Sequence, residues 1–219
     1  MSKLWTFGDS FTEGHGCHPG HPYYDNYPEE RRQIWVEELA DKLDLKLENL
    51  GYGGNSNPFI LSQILNNLSN FSKEDIIIAQ QTIPERGVIG NLNTGKMTWV
   101  PSEAVGQNNR EDWIMSTFSS SVAYEAYRNY ILDILLPQNY IFNDWYEKQF
   151  RDLCKFLVDS DFKVFFWSFN DWGKFENIHD RTDGTVPDLH WSWEGHKAFT
   201  AFMYKRIKKN LFIPKGRKL

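Results

Sequence analysis

DIIIAQQT, residues 75–82, holds three consecutive isoleucines and no exposed-face alternation. A continuous β-branched run of this kind suits a strand buried on both faces of a parallel sheet, not a half-solvated antiparallel one. Outward from it the chain alternates. Leu4–Phe7 reads as a first strand and KLENLGY, from Lys46, as a second short one. KVFFWSFND, from Lys163, is a fourth. Between them lie helical patterns. PEERRQIWVEELADKLDL has Ile34, Trp35, Leu39 and Leu43 near helical spacing, with Pro28 and two Glu at its expected start. NPFILSQILNNLSNF has Asn57 as its expected cap and Pro58 in its first turn. AYEAYRNYILDILL, NDWYEKQFRDLCKFLVDS and SWEGHKAFTAFMYKRIKKNL follow, the last capped by Ser192.

Strand–helix alternation predicts an α/β protein, a three-layer α/β/α sandwich on a parallel central sheet. The alternation breaks over about 85–120, after the third strand. There GVIGNLNTGKMTWVPS sets Asn93-Thr94-Gly95-Lys96 between apolar pieces, the pattern of an inserted hairpin. No repeat or low-complexity block interrupts the chain. Its 219 residues, 41% hydrophobic, fit a single domain, 1–219, with one sizeable core.

Charge narrows the partners. Twenty-four basic against 29 acidic residues give a net charge of −5, without the basic footprint of a nucleic-acid binder. The basic KRIKKN and KGRKL stretches read as a helix end complementing its dipole. No apolar run approaches the roughly 20 residues of a membrane span, and MSKLWTFGDS has no apolar signal core, so a cytoplasmic location is expected. Release by lysis, as for a phage product, leaves the same trace. The two cysteines, Cys17 and Cys154, read as unrelated reduced thiols.

In open parallel sheets ligands sit beyond the carboxyl ends of the strands. The first strand delivers Asp9 and Ser10 there, the second NLGYGGNSN, the third Gln81, Thr82 and then Arg86, and the fourth Asn170 and Asp171. The loop before the last helix, DLHWS, adds Asp188 and His190. A serine needs a neighbouring base to act as a nucleophile. His190 supplies an imidazole, and Asp188 a carboxylate to fix its tautomer. Backbone N–H groups at Ser10 and in Gly53-Gly54 suit an oxyanion, since glycine lets the backbone approach closely. Asp9 is expected to fix the serine turn by accepting from backbone N–H groups.

With these residues in place, the chain resembles the SGNH/GDSL hydrolases. FGDSFTEG looks like their first block, NLGYGGNSN like the second and DLHWSWEGH like the last, spanning Gly8 to about Gly195. The resemblance implies a flavodoxin-like sandwich, no cofactor, and hydrolysis of acyl or acetyl esters, often on lipids or sugars. It implies Ser10 as nucleophile, His190 as base, Asp188 as the third triad member and Gly54 as an oxyanion donor.

The chain departs from the pattern twice. Asp188 stands two residues before His190, with Pro187 in the usual third place, which keeps Asp183 and Asp180 as alternatives. The third block normally offers an asparagine donor, whereas here the strand runs into QQTIPERG. Thr82, Gln81, Arg86, Asn170 and Asn55 are the candidate replacements. An acyltransferase with the same triad and a non-catalytic glycan- or protein-binding module are the competing functions; the expected ligand is a small ester or an acylated glycan. Trp191 and Trp193, beside His190, are candidate walls of an acyl or sugar pocket. His15, Cys17, His18 and His21 lie close in sequence, but their spacing matches no metal motif, and a loop over the site is the preferred reading.

Overall fold

A computed structural model of the chain describes residues 1–15, 17, 33–82, 87–91, 96–100, 120–129, 139–168 and 191–209. Four strands, β1 (Lys3–Phe7), β2 (Lys46–Asn49), β3 (Ile76–Gln81) and β6 (Lys163–Ser168), form one sheet in the order β2-β1-β3-β6. Every neighbouring pair is parallel. This is the start of the flavodoxin-like 2-1-3-4-5 order, once the inserted strands are set aside. All six residues of β3 are buried, the apolar run Ile76–Ala79 and the two glutamines that end it alike.

Helices cover both faces. Leu4, Ile76, Ile78, Phe165 and Trp167 of one face pack with residues of α2 (Trp35–Leu43) and α6 (Trp193–Lys208). Trp5, Phe7, Ile77, Ala79 and Val164 of the other face pack with α3 (Asn57–Asn66) and α5 (Asn139–Asp159). The period of two along each strand therefore divides the apolar side chains between two cores, giving the three layers expected. α4 (Ser121–Asn129) precedes α5. In the insertion, β4 (Gly87–Asn91) and β5 (Lys96–Val100) pair antiparallel, Asn91 opposite Lys96. The hairpin therefore falls where the turn signal put it; residues 101–119 lie outside the described residues.

Two helix starts differ from the sequence expectation. Gln33 and Ile34 are not helical and α2 begins at Trp35. The Ile34 N–H donates to the Glu37 carboxylate at 3.1 Å, so Glu37 closes the first turn from within the helix. Residues 28–32 lie outside the described set. At α3 the cap is Ser56 and Asn57 is the first helical residue. The Asn57 side chain is drawn elsewhere: it donates to the Thr82 carbonyl and accepts from the Thr82 N–H, both at 2.9 Å. Ser192 caps α6 as expected, accepting from the Gly195 N–H at 3.1 Å. Lys205, Arg206 and Lys208 occupy the last turn of that helix, where its dipole favours positive charge. Cys17 and Cys154 are free, buried thiols, and burial pushes the Cys154 thiol up to about 12.

Asp75, only 3% exposed, ties the foot of β3 to β1. It accepts from the Lys3 N–H at 2.8 Å, the Trp5 indole N–H at 2.9 Å and the Ser72 N–H at 3.0 Å. Burial alone would raise its pKa; the donors of Ser72, Trp5 and Lys3 outweigh this and hold it below the ordinary carboxylate value. The charged form is thus favoured in the folded state. Its contribution is complete above the unfolded pKa of about 3.9 and is lost as pH falls through the lower folded value. Asp75→Ala should cost about 2–3 kcal/mol at pH 7, since three N–H groups lose a charged acceptor. In urea melts the deficit should shrink below pH 4; a deficit unchanged down to pH 2 would contradict this account.

Candidate active site at the carboxyl end of the sheet

β1 ends at Phe7, and the chain turns at once through Gly8 and Asp9 into α1 (Ser10–Glu13), a single helical turn. Asp9 caps it, its carboxylate accepting from the Phe11 N–H at 3.0 Å, which is the role expected of it. The Thr12 and Glu13 N–H groups donate to the Asp9 carbonyl at 3.0 and 2.9 Å. Gly14, at φ +86°, closes the turn in a left-handed conformation that glycine adopts without strain. Ser10 is therefore the first helical residue directly beyond a central parallel strand, 5% exposed.

The loop after β2 lies against this turn. A Cβ built on Gly53 would sit 4.0 Å from the Ser10 Cβ, so the backbone there abuts the serine. The Gly53 N–H donates to the Glu13 carboxylate at 2.7 Å. Its successor, Gly54, is at φ +75°, and among the described residues no group accepts from its N–H. Of the two glycines considered for an oxyanion, Gly53 has its N–H engaged by Glu13.

Other described candidates are drawn into the frame. Asn55, fully buried, donates its side-chain N–H to the Gly8 carbonyl at 2.8 Å. Thr82 donates its hydroxyl proton to the Asp9 carboxylate at 2.5 Å, while its peptide N–H and carbonyl are held by Asn57. A hydroxyl has one proton, so Thr82 in this arrangement is a support of the serine turn and not a donor to an oxyanion. Gln81, the last residue of β3, is buried. Asn170, Asp188 and His190 lie outside the described residues, as do His18, His21, Arg86, Asp180 and Asp183.

Trp191, the residue after His190, is described. It is fully buried, with its ring edge-on to that of Phe11, the residue after Ser10, at 5.1 Å between centroids. It also stacks on Trp167 of β6 at 5.4 Å and meets Phe199 of α6 at 4.7 Å. Trp35 joins the cluster and donates its indole N–H to the Phe11 carbonyl at 2.9 Å. Trp193 is 4% exposed. The expectation that Trp191 or Trp193 walls a ligand pocket is thus corrected: both are core side chains, because the end of the last loop is nailed down by aromatic packing.

Two features of the turn escaped the reading of the sequence, Glu13 on Gly53 and Gln80 beneath Asp9. Gln80 had a visible signal, being polar in a strand buried on both faces, where an amide must find partners. Glu13 had none, since its partner is a backbone group 40 residues away.

The fold and rim define a three-layer α/β protein whose central strand delivers a serine at the start of a short helix. Among solved structures the chain is similar to a lipolytic protein of the G-D-S-L family from Veillonella parvula, at 13% identity and a TM-score of 0.39, over 93% of this chain and 97% of that one. It is similar also to the native aryl esterase of M. smegmatis, at 14% identity and a TM-score of 0.43, over 95% and 99% of the two chains. No family model and no curated protein matches the chain. Among the described residues no helix is long and apolar enough to cross a membrane.

Proposed function

We propose that the chain, read as one domain over residues 1–219, is a cofactor-independent serine esterase of SGNH/GDSL type acting on small acyl esters, carbohydrate O-acetyl groups among the candidates. The observation that carries this reading is the Phe11–Trp191 contact at 5.1 Å. It joins the chain neighbours of the two residues that must exchange a proton, Ser10 and His190. In the proposed mechanism the Ser10 Oγ attacks the ester carbonyl carbon as its proton passes to His190, whose ring Asp188 orients. The N–H groups of Ser10 and Gly54 hold the oxyanion. Collapse breaks the bond to the alkoxy oxygen, which leaves as the alcohol with the proton from His190. A water activated by His190 then attacks the acyl-serine, releasing the acid and restoring Ser10.

An acyltransferase using the same triad, with a sugar hydroxyl in place of the water, is the sister reaction. A second reading, a non-catalytic glycan- or protein-binding module, is favoured by one observation: the Thr82 hydroxyl is committed to Asp9, so it does not stand in for the third-block asparagine as an oxyanion donor. Covalent labelling of the native protein by a fluorophosphonate, with turnover of p-nitrophenyl acetate and acetylated sugars, decides between them. The esterase should label and turn over; a protein that does neither is the binding module.

Glu13 offers a finer test. If its carboxylate holds the Gly53 N–H so that Gly54 is presented correctly, Glu13→Ala should lower kcat about tenfold, part of the effect of losing an oxyanion donor outright. Glu13→Gln keeps an acceptor oxygen and should recover most of it. Equal activity of the two variants would show that this bond does not set the loop.

A further inference from the structure

The side chain of Gln80 follows the apolar run Ile76–Ala79 of β3, and it is fully buried. Both ends of its amide are engaged with the serine turn. Its N–H donates to the Asp9 carboxylate at 2.5 Å. Its oxygen accepts from the Asp9 N–H at 3.1 Å and from the Thr12 hydroxyl at 2.5 Å. Gly8 leaves the room for this: a Cβ there would lie 2.2 Å from the Gln80 oxygen. Asp9 is itself fully buried, and a buried carboxylate must be matched by donors; it has the Phe11 N–H, the Gln80 amide and the Thr82 hydroxyl.

We propose that Gln80 is a positioning residue for the nucleophile, resting on the esterase reading above. It acts through Asp9. Its amide grips that residue by backbone and side chain together, and so fixes both the direction in which the chain leaves β1 and the start of α1, where Ser10 stands. An amide alone fits here. It donates to a carboxylate and accepts from an N–H at once, whereas leucine does neither and a glutamate does both only while protonated. β3, buried along its whole length, thereby serves as the rigid base of the reacting group.

The expected consequence is a loss in turnover without a loss in binding. Gln80→Leu should lower kcat roughly ten- to a hundredfold with KM nearly unchanged, as expected for a small displacement of a reacting atom. Gln80→Glu adds a signature that simple destabilisation does not produce. Among the described residues Asp9 is the ionisable group hydrogen-bonded to position 80, and two carboxyl groups in contact share a proton. The carboxyl group introduced by Gln80→Glu can stand in for the amide only while it holds that proton. The activity of Gln80→Glu relative to the native protein should therefore fall as pH rises from 5 to 8.

A second readout does not depend on activity. In Gln80→Glu at pH 8 and in Gln80→Leu, amide exchange should quicken at residues 9–14 while α3 and α6 keep their protection. Local loosening together with the kcat effect supports the proposal. Native kcat, a flat pH ratio, or exchange unchanged at residues 9–14 overturns it. If Gln80→Leu does not fold, Gln80→Glu carries the test at both pH values. If the native protein neither labels nor turns over, the esterase reading fails, and the exchange data alone decide whether Gln80 holds the turn.

Discussion

Ser10→Ala should abolish fluorophosphonate labelling and lower ester turnover by roughly 10⁴-fold or more, because removing the nucleophile of a triad that acts as a unit costs about as much as removing all of it. The protein should otherwise be intact. The bonds that close the turn run from the Gly14 and His15 N–H groups to the Ser10 carbonyl, each at 2.9 Å, and alanine keeps that carbonyl. The cap is the Asp9 side chain, which the substitution does not touch. Thermal unfolding should therefore change little while activity disappears. If the variant still labelled and turned substrate over at the native rate, the nucleophile would lie elsewhere and the proposed mechanism would be wrong.

Trp191→Ala is expected to have the largest effect on stability, about 3–5 kcal/mol, the usual cost of truncating a fully buried large aromatic. Trp191 meets Phe11, Trp167 and Phe199, so its removal opens a cavity shared by the serine turn, β6 and α6. Activity, measured well below the melting temperature of the variant, should fall as well, since the same ring links the flanks of Ser10 and His190. Trp191→Phe should restore most of both. Urea unfolding at constant m-value measures the first effect and p-nitrophenyl acetate turnover the second. A stability loss under about 1 kcal/mol would mean that the ring is not the packing centre its burial indicates.

The two effects separate the kinds of information in the chain. Ile76, Ile77 and Ile78 announced a buried parallel strand because a strand enclosed on both faces is built mainly from apolar side chains, and that constraint is local. The Ser192 cap was legible for the same reason: its partner, Gly195, is three residues on. FGDSFTEG and NLGYGGNSN marked the rim because small residues and a serine after a strand are themselves the local geometry of such a turn.

The partners of the polar side chains were not legible. Thr82 and Asn55 looked alike as hydrogen-bond donors, yet Asp9 takes the one and the Gly8 carbonyl the other, across 73 and 47 residues. Gln80 stood out as a polar residue in a buried strand, but its partners, Asp9 and Thr12, lie 71 and 68 residues away. Trp191 and Trp193 looked like pocket walls beside a histidine and are core, because the packing of Phe11, Trp167 and Phe199 fills the space around Trp191. By itself the sequence determined the layers, the parallel sheet and the edge at which chemistry is to be sought, since periodicity and turn residues act through near neighbours. Only the tertiary structure decided which buried groups support the turn that carries the serine. A hydrogen bond is set by distance in space, and the sheet brings β1 and β3 together from distant parts of the chain.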